Sequence, residues 1–279
     1  MPVRIVTDST CDLPAEVIER LGIGLVPLYI NAGGRGYLDG VEITRNEFYR
    51  NLPDYPVQPT TAVPSQQKFQ EQYEAYALSG ASEVISIHIS SALSSVVNVA
   101  LAAAREVTAV PVRVFDSRQL SLGTGFLVER AARMAADGCR LDEIMQALNE
   151  QVRRIHVFAA LDTLEFLKRS GRMNRFVANL GALLQLKPIL TMYDGTPTTE
   201  RVRTRERATR RLFELLQQVG PLERLAILHT NAPARVAELM AQIEGFLPAA
   251  QIMVADITPV IGAHIGPGAF GFAAIGAQV

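Results

Sequence analysis

Short apolar runs alternate with helical patterns through the first half of the chain. Runs rich in Val, Ile and Phe, typical of buried strands, lie at 3–7, 24–30, 83–90 and 111–117. Helical periodicity predicts helices over 66–79, from the serines after residue 90 to Glu106, and over 121–136 and 141–153. Strands and helices that alternate in this way predict βαβ units in an α/β fold with a mostly parallel, doubly wound sheet.

Polar residues mark the expected starts of several helices. Thr44 and Glu47 have the spacing of a capping box before a short helix. Asp12 precedes a helical stretch that Pro14 opens, and Ser94 stands at the start of the helix that ends near Glu106. We therefore expect side-chain caps from Thr44 and Asp12, and a cap is one of the alternatives for Ser94.

The alternation restarts after residue 154. Strand-like runs lie at 156–162, 224–230 and 251–256, and helical patterns lie at 174–185, 205–218 and 233–245. Two further strands are expected on either side of Asp194-Gly195, a hairpin signal. The restart predicts two α/β domains, an N-terminal one over 1–156 and a C-terminal one over 157–279 with a mixed sheet and helices.

The C-terminal stretch 257–279 carries no charged side chain. It is long enough to span a bilayer, but it contains two prolines and several glycines, and no Lys or Arg flanks it. We therefore interpret it as Gly-rich strand and turn, and expect no membrane insertion.

Composition narrows the class of protein. The chain has 279 residues, of which 48% are hydrophobic and 20% charged, and this excludes a disordered chain. With 27 basic and 28 acidic side chains, no global field attracts nucleic acid. Asp8 lies where a signal peptide needs an apolar run, so a cytoplasmic location is expected. Cys11 and Cys139 show no metal or redox spacing, which indicates reduced thiols.

Hydroxyl side chains cluster at two expected helix starts. Ser91 and Ser94 follow the strand-like run at 83–90, and Thr61 lies shortly before the 66–79 helix. Helix starts at the carboxyl edge of an α/β sheet offer free N–H groups to anions, and hydroxyls add donors. Each segment also fits an ordinary cap or turn. If both lie at this edge, they converge on one polar ligand head.

His264 lies between glycines near the C-terminus. Glycine lets the backbone approach a neighbour closely, which favours a site, although a lone histidine is also often structural. Residues 266–271 match GxGxxG, but too few residues follow for a dinucleotide-binding unit. N–H groups around Gly266 and Gly268 facing an anion stay an open alternative.

Arginines crowd one part of the second half. They lie at 201, 203, 205, 207, 210 and 211. Arg201, Arg203 and Arg205 alternate in an expected extended segment and would share one face. A solvated, partly ion-paired face, a phosphate site or a nucleic-acid surface are the alternatives, and the lack of interleaved aromatics argues against nucleic acid. Arg172 is a separate candidate for binding a carboxylate or phosphate.

The chain has no P-loop, no HExxH and no Cys/His cluster, and no base is evidently paired with a nucleophile. The candidates are donors to an anion, which indicates a polar clamp with no metal or cofactor.

Eight short motifs occur in order from residue 8 to residue 268. They are Asp8-Ser9-Thr10 with Asp12-Leu13-Pro14; Thr61 with Pro64-Ser65; Ser91-x-Leu93-Ser94; Phe115-Asp116-Ser117 with Ser121-x-Gly123-x-Gly125; Leu161-Asp162-Thr163-Leu164-Glu165 with Gly171-Arg172; Lys187-Pro188; Arg203-Thr204-Arg205; and Ile261-Gly262-x-His264-x-Gly266-Pro267-Gly268. In this order they resemble the DegV family, bacterial fatty-acid-binding proteins.

The resemblance implies two α/β domains that bury a long-chain fatty acid such as palmitate. It places the carboxylate on Thr61 and Ser94, with His264 near the same end and Arg172 and Arg203 near the head-group surface. Ser91, Gly266 and Gly268 are carried over as supporting or partner-facing positions. The resemblance also implies that a separate ATP-dependent fatty acid kinase makes an acyl phosphate for phospholipid synthesis.

The chain departs from the family pattern beside the proposed clamp. Ser95 and Val96 stand where the family usually has Gly-Thr, and Ala62 and Val63 stand where it usually has Ser-Gln. These changes remove hydrogen-bonding partners, so the carboxylate network or the kinase contact can differ here. An enzyme of the serine acyl hydrolase or transferase class, with Ser94 as nucleophile and His264 as base, is the alternative.

Overall fold

The computed structural model describes residues 2–176, 187–243, 245–248 and 251–278. The strands of the first half are β1 (Val3–Asp8), β2 (Gly24–Val26), β3 (Tyr29–Ala32), β4 (Arg35–Leu38), β5 (Thr60–Ala62), β6 (Glu83–His88) and β7 (Val112–Asp116). Its helices are α1 (Ala15–Arg20), α2 (Arg45–Asn51), α3 (Gln66–Leu78), α4 (Val96–Glu106), α5 (Leu122–Ala136) and α6 (Leu141–Gln151).

Four strands of the first half form a parallel sheet in the order β2-β1-β6-β7. From β1 the chain passes through α1 to β2 on one side, whereas from β6 it passes through α4 to β7 on the other. The neighbours β1 and β6 therefore mark the point where the strand order reverses, and ligands of such sheets bind at the carboxyl ends of the strands there. The predicted α/β fold with a parallel sheet is confirmed.

The apolar run at 24–30 is not one strand, as predicted, but two. β2 ends at Val26 and pairs with β1, whereas β3 begins at Tyr29 and belongs to a separate antiparallel sheet in the order β4-β3-β5. Pro27 separates the two strands, because proline has no N–H to continue a ladder. This small sheet presents β5 to the carboxyl edge of the parallel sheet.

The second half forms a mixed six-stranded sheet. Its strands are β8 (Ile155–Ala160), β9 (Lys187–Tyr193), β10 (Thr196–Val202), β11 (Leu222–His229), β12 (Met253–Asp256) and β13 (Phe270–Gly276). Its helices are α7 (Glu165–Arg169), α8 (Met173–Phe176), α9 (Arg205–Val219), α10 (Pro233–Gln242) and α11 (Pro259–Ile265). The strand order is β10-β9-β8-β13-β11-β12, and β11 and β12 run parallel whereas the other neighbours are antiparallel.

The hairpin predicted at Asp194-Gly195 joins β9 to β10. Both turn residues have positive φ, 43° and 80°, as a tight two-residue hairpin requires. The helix predicted over 174–185 begins earlier, as α8, and its part beyond Phe176 lies outside the described residues. Helix α10 ends at Gln242 and not at 245 as predicted.

The segment that carries His264 is a helix, and its prediction as strand and turn was wrong. α11 has proline in its first turn and buries every side chain except that of His264. Glycine is required at position 262 inside this helix because a Cβ there would clash with Oη of Tyr49. The glycine therefore serves close packing against α2, and Gly266, with a φ of 77°, ends the helix.

The cap expected from Thr44 is present. The Oγ1 of Thr44 accepts from the N–H of Glu47 at 3.2 Å. Pro14 precedes α1 without a side-chain cap, so the cap predicted from Asp12 was wrong, and Ser95 precedes α4 without one, so the alternative of a cap by Ser94 does not hold. Their side chains are left to other contacts.

The division at 156/157 stays a prediction. The strands change sheet between β7 and β8, while one hydrophobic core contains buried residues from Val3 to Ile275. Among the helices of the described ranges, none has the length and apolar character to cross a membrane.

Candidate functional site

A cavity lies at the carboxyl edge of the parallel sheet. Thr10 follows β1, Ile89 and Ser94 follow β6, and Leu120 follows β7; all four line the cavity. The cavity therefore lies beside the reversal of strand order between β1 and β6, where α/β sheets bind ligands.

Polar side chains line this cavity together with a larger apolar set. The polar residues are Thr10, Thr61, Ser94, Arg172 and His264. The apolar residues are Leu28, Ala62, Val63, Ile89, Leu93, Leu120, Leu167, Phe176, Val260, Ile261 and Ile265. The structure thus brings together four of the residues that sequence analysis proposed, from β5, the β6–α4 turn, the α7–α8 turn and α11.

Two of these residues are hydrogen-bonded to each other. The Oγ1 of Thr61 lies 3.0 Å from Nε2 of His264, across 203 residues of sequence. Nδ1 of His264 is buried and has no hydrogen-bond partner among the described residues. The hydroxyl of Ser94 likewise has no hydrogen-bond partner among the residues that the structure describes, while its backbone N–H donates to the carbonyl of Ser90 at 3.1 Å. The hydroxyl of Ser94 therefore remains available to a ligand.

His264 is neutral at physiological pH. Burial lowers the pKa of its imidazole to about 4, and the nearby Arg172 guanidinium contributes to the shift because it disfavours a second positive charge. A neutral imidazole carries one N–H, so its two nitrogens divide the roles of donor and acceptor.

Arg172 brings a positive charge to the cavity wall. Burial and the neighbouring Arg175 guanidinium lower its pKa, but an arginine in a protein stays protonated. Its Nη1 donates to the carbonyl of Ser170 at 2.8 Å, and within the described ranges no carboxylate pairs with it. A half-buried cation without a counter-ion favours an anionic ligand in this cavity.

The other candidate positions lie away from the cavity lining. Ser91 is exposed, and its Oγ donates to Asp116 at 2.5 Å. Arg203 is exposed on the turn after β10 and does not line the cavity. The N–H of Gly266 donates to Gly262 and that of Gly268 donates to Thr230, so the suggested anion site formed by these N–H groups is not available.

The arginine cluster is partly ion-paired, as one alternative expected. Arg205 is the first residue of α9, so the extended segment predicted through residue 205 ends earlier, and it pairs with Asp162 at 2.8 Å. Arg211 pairs with Glu200 at 2.6 Å.

A second cavity adjoins the first. Four residues line both cavities: Leu120, Phe176, Ile261 and Ile265. Apart from Ser121 and Thr191, the side chains that line the second cavity are apolar, and β8 and β9 contribute five of the lining residues. A chain-like apolar ligand with its polar end in the first cavity would direct its other end toward this apolar lining.

Sequence analysis missed Thr10 and the residues shared by the cavities. Thr10 lies two residues after the end of β1, and that position near a strand end was the available signal. Its N–H and hydroxyl both donate to Oδ1 of Asp8. Nothing in the sequence pattern distinguishes Leu120 or Phe176 from ordinary core residues.

Asp8 belongs to a buried chain of hydrogen bonds behind the cavity. Oδ2 of Asp8 lies 2.9 Å from Nδ1 of His88, whose Nε2 lies 2.7 Å from Oγ of Ser86. Burial raises the pKa of Asp8, but the hydrogen bonds from His88 and Thr10 outweigh it and hold that pKa below its usual value. The order Asp-His-Ser imitates a catalytic triad, yet the three residues are fully buried and Ser86 lines neither cavity.

Comparisons with known proteins place this architecture in a family. The model of a family described as "Uncharacterised protein, DegV family" matches residues 2–277. A DegV domain-containing protein of Streptomyces coelicolor is 37% identical over 274 residues, which cover 96% of this chain and 96% of that protein.

Two solved structures share the fold over nearly the whole chain. One, described as showing fatty acid binding of a DegV family protein from Thermus thermophilus, is 35% identical with a TM-score of 0.89, covering 99% of this chain and 100% of the other. The other, described as DegV, a fatty acid binding protein from Bacillus subtilis, is 29% identical with a TM-score of 0.90 and the same coverage. From its matched length and its fold, the chain belongs to the DegV family.

Proposed function

We propose that the protein binds a long-chain fatty acid, with its carboxylate held by Thr61 and Ser94 and its tail buried. The main support for this proposal is that hydroxyls and the half-buried Arg172 cation surround one cavity, which adjoins an apolar one. The Thermus thermophilus and Bacillus subtilis relatives, described as binding fatty acid, support the same ligand class.

The hydrogen bond between Thr61 and His264 suggests how the carboxylate is held. An ionised carboxylate only accepts hydrogen bonds, so each partner must donate. When the single N–H of neutral His264 is on Nε2, it donates to Oγ1 of Thr61, and the hydroxyl of Thr61 is free to donate to the ligand. Ser94 donates the second hydrogen bond, and Arg172 supplies a compensating charge.

The tail would pass from the first cavity into the second. Each buried methylene contributes roughly 0.8 kcal/mol, so a palmitoyl tail of fourteen methylenes supplies on the order of 11 kcal/mol at most. This contribution of the tail to the binding free energy exceeds the contribution of the head group. We therefore assign affinity mainly to the tail and orientation to the hydroxyls.

This orientation would leave the carboxylate at the accessible end. Ser94 and Arg172 are half-buried, whereas three of the four shared residues, Phe176, Ile261 and Ile265, are buried. A separate, cytoplasmic, ATP-dependent fatty acid kinase could then reach the head: a carboxylate oxygen attacks the γ-phosphorus of ATP, giving acyl phosphate and ADP. The family resemblance is the support for this partner.

The geometry gives less support to an acyl hydrolase or transferase. A serine nucleophile needs a base within hydrogen-bonding distance and a third group that orients the base. Nε2 of His264 is hydrogen-bonded to Oγ1 of Thr61, and no described residue forms a hydrogen bond with its Nδ1. Incubation with a chromogenic acyl ester tests this alternative: turnover that disappears in Ser94→Ala would favour the enzyme over the carrier.

Mass spectrometry of the organic extract of the purified protein tests the proposed function. We expect close to one free long-chain fatty acid, such as palmitate, per protein chain. Delipidated protein should take up added palmitate to the same ratio. An extract without fatty acid, combined with no uptake of palmitate, would contradict the proposal.

A further inference from the structure

Four residues form the wall shared by the two cavities, which we call the partition: Leu120, Phe176, Ile261 and Ile265. Leu120 directly precedes Ser121, which in turn precedes the first residue of α5. Ile261 and Ile265 lie on α11, which starts after Thr258. Three of the four partition residues therefore depend on where α5 and α11 begin.

One carboxylate, that of Asp12, holds both of these starts. Its Oδ2 accepts from Oγ of Ser121 at 2.6 Å, and its Oδ1 accepts from the N–H of Thr258 at 2.8 Å. Oδ1 also accepts from Nη2 of Arg45 at 3.1 Å. Asp12 lines neither cavity, although it is almost fully buried. It therefore contacts the supports of the partition without facing the ligand space.

The backbone on both sides of this contact is strained. Asp12 has a φ of 54°, and Ser121 has a φ of 51° with a ψ of −142°, a combination that residues with a side chain rarely adopt. Such conformations persist where surrounding contacts fix them, and they concentrate at functional sites. Here the two strained residues, 109 positions apart, are hydrogen-bonded to each other.

We propose that Asp12 is a positioning residue for the acyl chain, which sets the partition by holding the starts of α5 and α11. Through Ser121 it fixes Leu120, and through Thr258 it fixes the helix that carries Ile261, His264 and Ile265. This inference rests on the proposed function, because the partition matters only if a chain passes it. Asp12 thereby determines how strongly the protein prefers long chains over short ones.

The test compares two fatty acids of different length on delipidated protein. Affinities for stearate and for decanoate are measured by titration calorimetry, because the shorter chain has fewer methylenes to pass the partition. Each buried methylene contributes about fourfold to affinity, so displacing two lowers stearate binding about fifteenfold. We expect Asp12→Ala to lower the affinity for stearate at least tenfold and that for decanoate less than threefold.

Two further variants separate positioning from general damage. Asp12→Asn keeps an oxygen for the N–H of Thr258 and an amide that can donate to Ser121, so it should restore the stearate-to-decanoate ratio to within twofold of the wild type. Asp256→Asn changes an acid of the cleft next to Asp12 that holds neither helix start, and should leave the ratio unchanged. If Asp12→Ala does not fold, Ser121→Ala removes the same link to α5 and should lower the ratio in the same direction.

The inference would be overturned if Asp12→Ala, or its substitute Ser121→Ala, lost equal affinity for both acids. It would also be overturned if the stearate-to-decanoate ratio were as low in Asp12→Asn as in Asp12→Ala. If the wild type binds neither acid, the proposed function itself fails. If the wild type binds both and the ratio does not respond, only the role of Asp12 fails.

Discussion

Removal of the two proposed carboxylate donors is the most informative perturbation of the head-group site. Thr61→Ala and Ser94→Ala each delete one hydroxyl from the cavity lining. A hydrogen bond to a charged group contributes about 1.5–3 kcal/mol, and 1.4 kcal/mol corresponds to tenfold. Each single variant should therefore weaken palmitate binding by about 10- to 150-fold.

The double variant should lose more, and it should lose retention of fatty acid through purification. If the two losses add, the sum is about 3–6 kcal/mol, or two to four orders of magnitude in Kd. Both hydroxyls hold one carboxylate, so each single variant loses less affinity when the head group shifts toward the remaining donor. The two single losses then add to a smaller sum. Calorimetric titration of delipidated protein with palmitate measures these losses.

Neighbouring residues provide matched controls. Thr60 precedes Thr61 on β5, and its side chain is exposed on the opposite face of the strand. Ser95 follows Ser94 and is exposed, without a side-chain cap on α4. Thr60→Ala with Ser95→Ala should bind palmitate as the wild type does. Equal affinity of the two double variants would refute the assignment of the clamp.

Three further predictions concern stability. The pKa of His264 is about 4 in the fold and about 6.5 in the unfolded chain, so between these pH values the unfolded chain binds a proton that the folded protein does not. As the pH falls from 7 to 4, the unfolding free energy of the delipidated wild type should therefore fall by about 3 kcal/mol more than that of His264→Gln, measured by urea denaturation. Gly262→Ala places a Cβ against Oη of Tyr49 and should cost about 1–3 kcal/mol, and in a double-mutant cycle Tyr49→Phe should recover part of that loss; an additive cycle would argue against the contact. Asp8→Ala removes the acceptor from buried His88 and should lower the unfolding free energy by about 3–5 kcal/mol, whereas a loss below 1 kcal/mol would show that the pair contributes little.

Much of the architecture could be predicted from local pattern. Parallel strands followed by helices, and the hairpin at Asp194-Gly195, depend on short-range periodicity and turn chemistry, which the sequence displays directly. The split of 24–30 was missed because an apolar run does not show which sheet each of its residues joins. The helix around Gly262 was missed because this glycine is required for packing against Tyr49, which lies more than 200 residues away in the sequence.

The site shows the same division between local and long-range information. Hydroxyls at strand ends could be proposed as donors to an anion from their positions alone. That His264 lies near Thr61 was expected only from family resemblance, since no spacing joins positions 203 residues apart, and the hydrogen bond between them was not expected. Asp12 was interpreted as a helix cap, because its partners Ser121 and Thr258 lie 109 and 246 residues further along the chain.

A crystal structure of the protein with palmitate tests the central claim most directly. The carboxylate oxygens should lie within about 2.6–3.2 Å of Oγ1 of Thr61 and Oγ of Ser94, the range of good hydrogen bonds. The tail should pass Leu120 and end in the cavity lined by β8 and β9. Palmitate bound with its carboxylate in that second cavity, or bound outside both cavities, would contradict the account.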